Sequence, residues 1–517
     1  MKSILRISFL TALLFLCPAA ALAQAYGEVA FVNSGPAAAQ ADFLLGLAQL
    51  HNFEYDDAAE HFRKAQQLAP DFALAFWGEA MTKNHALWHE EDVAAARVIL
   101  KRLGPTPEAR LGKAGTEREK LYLQSLELLF GEGTKEERDR RYESGLAELH
   151  RKFPDDVDAA AFYALAILGT AEHGRDFATY MRAAAVLEEV FPQHPRHPGV
   201  VHYLIHSYDD SIHAPLGLRA ARIYAKIAPQ AGHAQHMTSH IFLALGMWDD
   251  EVKANETAIA VENRIREKAG RPPGTCGHYN EWLEYGYMQQ GRVADARRMV
   301  ESCRQAVERA VAPHDMAPAN KPMGRMMSPG MLVESYADMR ANLVIDAQLW
   351  NDSVVRATLP AGDYPMAQLT FDYTNALAAI RRGDLPGARD AISRAESDRQ
   401  KALARGTEQR YADPRRDQRL AILTEQLRAL LAGAEGKGDE AVKELQRIAA
   451  REDAMSVEFG PPAVYKPTDE LLGELLLQLG RSSEARDAFQ VALGRAPGRR
   501  SVVQALARGD NKMMGTK

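Results

Sequence analysis

The residues most able to do chemistry are histidines, and they are bunched. Ten of the 16 histidines lie between His173 and His278. His202 and His206 are four residues apart, and so are His236 and His240. The second pair repeats the first after 34 residues (236 − 202 = 240 − 206 = 34). Residues i and i+4 of a helix share one face, so each pair can chelate one cation. Imidazole suits zinc, copper, iron and nickel, and a nearby carboxylate adds charge. The expected metal set is His202, His206, His236 and His240, completed by Asp209 or His278. The expected cofactor is a divalent transition metal, zinc first, with copper and iron as alternatives. Tyr203 follows His202 where the zinc-protease pattern H-E-x-x-H needs Glu, so that chemistry is disfavoured. The catalytic residues and the reaction stay unassigned, and Glu172, Asp209 and Glu281 are the candidate bases.

Such histidines need helices set at a fixed spacing. Near the C-terminus, Leu472, Gly473, Leu476, Gly480, Ala485, Phe489, Ala492 and Pro497 fall at positions 7, 8, 11, 15, 20, 24, 27 and 32 of a 34-residue unit. Leu283, Tyr287, Gly291, Ala296 and Cys303 repeat the order, and so do Gly46, Phe62, Ala65 and Pro70. Gly383 and Ala388 mark another unit. The pattern resembles the tetratricopeptide repeat (TPR) superfamily over most of residues 38–500. That resemblance implies an all-α fold, a TPR-type right-handed α-solenoid of antiparallel helix pairs. Small residues let two helices approach, large ones fill the seam, and glycine opens the turn.

In the TPR register, both histidine pairs take positions 5 and 9, which face the concave groove. His233 takes position 2 and Asp209 position 12. His278, Glu281 and Tyr285 take positions 2, 5 and 9 of the next unit. Glu172 and His173 end the preceding helix, and His85 reaches the groove from the N-terminal units. As groove residues, His206 and His240 are expected to lower thermal stability little when both are replaced by alanine. His194 and His197, in the Pro-rich turn FPQHPRHP, read as solvated. His213 reads as a helix-start or supporting residue. The segments HYLIHSYDDSIHAPLGLRAARIYAKIAP, HMTSHIFLALGMWDD and KPTDELLGELLLQLGR resemble exported bacterial TPR proteins distantly similar to tetratricopeptide repeat protein 38. That likeness implies a fold and the place of the histidine block, and carries no reaction.

The chain has 517 residues and a net charge of −6, with no long Lys/Arg run, so nucleic acid is not an expected partner. A peptide, protein or small-molecule ligand in the groove is expected, and a non-catalytic scaffold that grips a partner is the alternative function. Residues 1–23 read as a signal peptide. Lys2 and Arg6 precede an apolar core from Ile7 to Leu16, and Ala21-Leu22-Ala23 is a small-x-small cleavage site. Cleavage near Ala23 implies a periplasmic or secreted protein with no membrane span in the mature chain. The expected organisation is N-terminal helices over 24–102, a loop at 103–116 and a His-rich block over 117–310. A Pro/Met-rich linker at 311–330 and a C-terminal block over 331–517 follow. Cys276 and Cys303 sit at adjoining helix ends and can pair in an oxidising compartment; two buried free thiols are the alternative.

Overall fold

The computed structural model describes residues 25–171, 174–311, 328–359, 364–408, 414–456 and 459–514. The expected leader, Glu172, His173 and all but the ends of the 311–330 linker lie outside them. The described residues form twenty-three α-helices. The strands among them are two antiparallel two-residue pieces, Asn84–His85 and Glu90–Glu91. Consecutive helices pack against one another along the chain, as hairpin-connected pairs must. Within 103–116 the chain forms a short helix, Pro107–Leu111, capped by the Thr106 hydroxyl.

The unit's spacing has a direct packing cause. A Cβ on Gly473 would stand 2.6 Å from the Phe489 ring, and one on Gly46 3.2 Å from the Phe62 ring. Position 8 is therefore glycine wherever the ring of position 24 fills the seam. Inside the units, Gly246, Gly291, Gly383 and Gly480 take positive φ at the turn between paired helices. There the backbone reverses through the helix-ending pattern seen at Gly246 N–H to Leu243 O and Met247 N–H to Phe242 O. Phe53 holds the same turn in the first unit at φ 58°, a conformation that penalises any side chain.

The array bends so that both ends reach its middle. The helix Ala37–His51 packs on the helix Pro198–Tyr208, far away in sequence. Asn52 locks that contact: its Nδ2 donates to the Tyr26 carbonyl at 2.7 Å, and Tyr224 Oη donates to its Oδ1 at 2.8 Å. From the other side, the helix Arg500–Met514 packs on His278–Gln290. Buried Arg499 donates to Glu470, Asp346 and Tyr285. The Cys276–Cys303 disulfide ties the start of the His278 helix to the helix Val293–Val311. The two-thiol alternative is thereby set aside in this structure.

Candidate metal centre

Three helices carry the imidazoles: Pro198–Tyr208, Gly232–Ala244 and His278–Gln290. Their donor nitrogens gather into two sets of three. His202, His206 and His233 form one; His236, His240 and His278 form the other; and His206 and His240, one from each, also stand with Asp209 in a further group. Within each set the ligating atoms lie within 4.8 Å of one another. His202 Nε2 is 3.1 Å from His233 Nε2. His236 Nε2 is 3.0 Å from His278 Nε2 and 3.2 Å from His240 Nε2.

The surroundings decide which nitrogen keeps its lone pair. His202 Nδ1 lies 2.7 Å from the His51 carbonyl oxygen, which can only accept, so Nδ1 carries the proton. His236 Nδ1 donates at 2.7 Å to Asn255 Oδ1, because the Asn255 amide group is spent on Glu251 at 2.7 Å. His240 Nδ1 donates at 3.0 Å to Asp209 Oδ2, and His206 Nδ1 lies 3.4 Å from the same oxygen. The Nε2 atoms of His202, His236 and His240 are thereby left as lone pairs. His206 Nε2 is buried with no hydrogen-bond partner among the described residues. Two neutral imidazoles, His236 and His240, thus face each other lone pair to lone pair.

Electrostatics favour the neutral form of four of these rings. Burial, then the neighbouring His206, holds His202 well below the ordinary imidazole range. Burial and His202 do the same to His233, and burial and His278 to His236. Burial also lowers His240, with Asp209 opposing it. Neutral imidazole is the ligating form. Burial alone would raise Asp209, but Arg175 and hydrogen bonds from His206 and His240 hold it far below the ordinary carboxylate range. Arg175 is itself shared, bonding Asp209, Asp210 and the Ser207 carbonyl. Asp209 therefore stands behind the imidazoles as an ionised acceptor.

Aromatic rings close over the donors. Phe53 lies 4.3 Å from the His202 ring and 5.4 Å from His233, centroid to centroid. Trp282 stacks on His240 at 4.4 Å, and Phe459 stacks on its other side at 4.9 Å. The four paired histidines are consequently buried, His206 at 3% exposure, where the repeat register expects an open groove. Their replacement is a core substitution, contrary to the small stability effect expected of groove residues. His278 alone of the six keeps solvent exposure. It lines a cavity of about 420 Å³ with Trp282, Phe459, Glu281, Asp338 and Tyr465.

Other expected residues fall elsewhere. Glu281 faces that cavity and not the imidazoles. Tyr285 is buried against Arg499, which donates to its hydroxyl at 3.0 Å. His85 stacks on Tyr55 at 4.1 Å, at the rim beyond Trp88. His213 Nδ1 bonds Asp210 at 2.9 Å, a supporting position. His197 corrects the solvated reading: it is buried, its Nδ1 accepts from Val200 N–H, and its Nε2 is 3.2 Å from Asp158. The turn before Pro198 makes it a helix cap, and the cap folds onto Asp158. His51 also reaches Asp158, at 2.9 Å, and its other nitrogen meets Tyr203 Oη at 3.1 Å. With these nitrogens already engaged, that third cluster is a hydrogen-bond network rather than a set of free donors.

Phe53, Asn255, Arg175 and Phe459 were not singled out in the sequence. Only Phe53 left a signal there: counting seven on from Gly46 puts an aromatic where the unit calls for glycine.

No family model matches the chain, and no curated protein matches it. The resemblance to tetratricopeptide repeat protein 38 finds no support in either comparison. Solved structures that align along it include the Cut9–Hcn1 hetero-tetramer of the APC/C, at 11% identity over 93% of this chain and 78% of that one, TM-score 0.36. A human IFIT1 dimer aligns at 13% identity over 92% and 93%, TM-score 0.33. Yeast Tom70 aligns at 12% over 92% and 89%, TM-score 0.27. At such identities and TM-scores these likenesses carry no argument, and the assignment rests on helix order, seam packing and turns. By those features the described residues are an all-α solenoid of TPR-type helix pairs.

Proposed function

We propose that this chain is an exported TPR-type protein whose buried imidazole cluster binds a divalent transition metal, zinc first. The observation that carries the reading is the buried His206 Nε2, which has no hydrogen-bond partner among the described residues, in a cluster where the His236 and His240 lone pairs face each other at 3.2 Å. Leaving a buried polar atom unsatisfied costs about 1–3 kcal/mol, and here the His206 nitrogen has no partner among the described residues while those of His236 and His240 meet without a shared proton. A cation removes that cost, and nitrogens about 3 Å apart are at the spacing of neighbouring ligands on one ion with bonds of about 2.0–2.1 Å. The hydrogen bonds from Nδ1 to the His51 carbonyl, Asn255 and Asp209 are the supports that orient ligating imidazoles. Export is supported by the leader pattern in residues 1–23 and by the Cys276–Cys303 disulfide, which suits an oxidising compartment. The cavity beside His278 favours a small molecule as the groove ligand.

Elemental analysis of the purified, zinc-reconstituted protein tests this, alongside the double variant His206→Ala, His240→Ala. The wild type is expected to retain zinc through desalting and the variant to lose most of it, with helical content checked by circular dichroism. A wild type that retains no metal would leave a non-catalytic scaffold as the better description.

A further inference from the structure

We propose that the centre is dinuclear: His202, His206 and His233 hold one transition-metal ion, and His236, His240 and His278 hold a second. This rests on the metal-binding reading above and adds to it a count, a division of ligands and a class of bound molecule.

The repeat itself generates the division. Each set combines an i, i+4 pair from one helix with a histidine from the N-terminal turn of the next unit's first helix. His233 is the second residue of Gly232–Ala244, and His278 is the first of His278–Gln290. The second set is the first set moved along the solenoid by one unit. No histidine belongs to both sets. The donors of each set lie within 4.8 Å of one another, whereas the six form no common group. One ion with bonds of about 2.0–2.1 Å therefore serves three of them and leaves three bare.

The sets adjoin. The His206 and His240 rings, one from each, are 5.5 Å apart, and those of His233 and His236 are 6.2 Å apart. Asp209 spans them, its Oδ2 facing both His206 Nδ1 and His240 Nδ1. A single buried carboxylate thus orients one imidazole in each set.

The donor set also defines what binds. Three neutral nitrogens per ion leave coordination positions open and bring no negative charge. Among the described residues the carboxylate that meets these imidazole rings is Asp209, whose Oδ1 is taken by Arg175 and whose Oδ2 meets the Nδ1 side of His206 and His240. The open positions accordingly take an oxygen-donor anion, hydroxide in its absence of competitors, with access from the cavity lined by His278, Trp282 and Phe459.

Apo protein, full chain, is titrated with Zn(II) and the bound metal is counted after desalting. Two equivalents are expected for the wild type and one for each of His233→Ala and His278→Ala. Saturation of the wild type at one equivalent overturns the dinuclear assignment and leaves metal binding standing; retention of none overturns both. Because either variant could misfold, the wild type loaded with Cu(II) gives an independent reading by electron paramagnetic resonance. A coupled-spin signature, with less than two spins' integrated intensity, is expected to appear only beyond the first equivalent. Two independent spins at full intensity overturn the proposal.

Discussion

Asp209→Asn probes the centre at its support. In the native protein Asp209 Oδ1 takes the Arg175 guanidinium, while Oδ2 faces His206 Nδ1 at 3.4 Å and His240 Nδ1 at 3.0 Å. Asparagine has the same shape but one acceptor end and one donor end. If its oxygen faces Arg175, which can only donate, its amide group points at both Nδ1 atoms and favours the tautomer with the proton on Nε2. That proton then occupies the ligating nitrogen. If the amide turns over, two buried donors meet at Arg175, at about 1–3 kcal/mol. The first arrangement weakens binding directly and the cost at Arg175 disfavours the second, so zinc affinity is expected to fall about 10–100-fold, the usual loss when a ligand's outer partner is removed. Competition with a chromophoric chelator measures it. Asp210→Asn is the control: Asp210 also pairs with Arg175 but supports His213, so it removes equal charge without touching the six imidazoles. Its affinity is expected to stay within about twofold of wild type, given the screening that surrounds a charge already paired with Arg175. Equal affinities for Asp209→Asn and wild type would refute the tautomer argument, and equal losses in both variants would reduce it to net charge.

Two further outcomes follow from burial and strain. Burial pushes the His51 imidazole down to about 4, against the partial opposition of Asp158, which stays ionised throughout the range concerned. Its unfolded-state pKa of about 6.5 is higher, so below pH 6.5 the unfolded chain takes up the proton first. Stability is full above pH 6.5 and falls by about 1.4 kcal/mol per pH unit toward pH 4. Urea unfolding of the metal-free protein at pH 7, 6 and 5 is expected to show a steeper total slope, because His202, His233, His236 and His240 are depressed too, and His51→Gln to reduce it by about 1.4 kcal/mol per pH unit; an unchanged slope counts against the assignment. Phe53→Gly relieves a left-handed backbone worth about 1–2 kcal/mol but empties a buried ring site worth about 3–5 kcal/mol. A net loss of about 1–4 kcal/mol in urea unfolding is therefore expected, and a gain in stability would show that the ring contributes little packing.

The architecture was legible in the sequence because TPR-type packing is local. A ring at position 24 excludes a Cβ at position 8, and the paired helices must turn through a left-handed residue, so Gly473, Phe489 and Gly480 announce a unit within seventeen residues. The same locality placed His202 with His206 and His236 with His240, since one helical turn and one repeat length suffice. Arg175 and Phe459 are different. Neither stands at a position of the repeat that predicts contact with an imidazole, and Phe459 comes from beyond residue 450 to stack on His240. His51 gave no sign that its carbonyl would fix a tautomer 151 residues away.

The sequence by itself therefore determined the helix pairs, the seam and the fact that four imidazoles share one side of adjacent units, all consequences of backbone periodicity and short-range volume. Only the tertiary structure decided that this side is closed and not an open groove, that Asp209 stands behind the donors, and that His233 and His278 complete separate triplets. Those outcomes depend on how far the solenoid bends and on which distant side chains the bend brings in. Many small inter-unit angles add up to that curvature, and no local spacing encodes it.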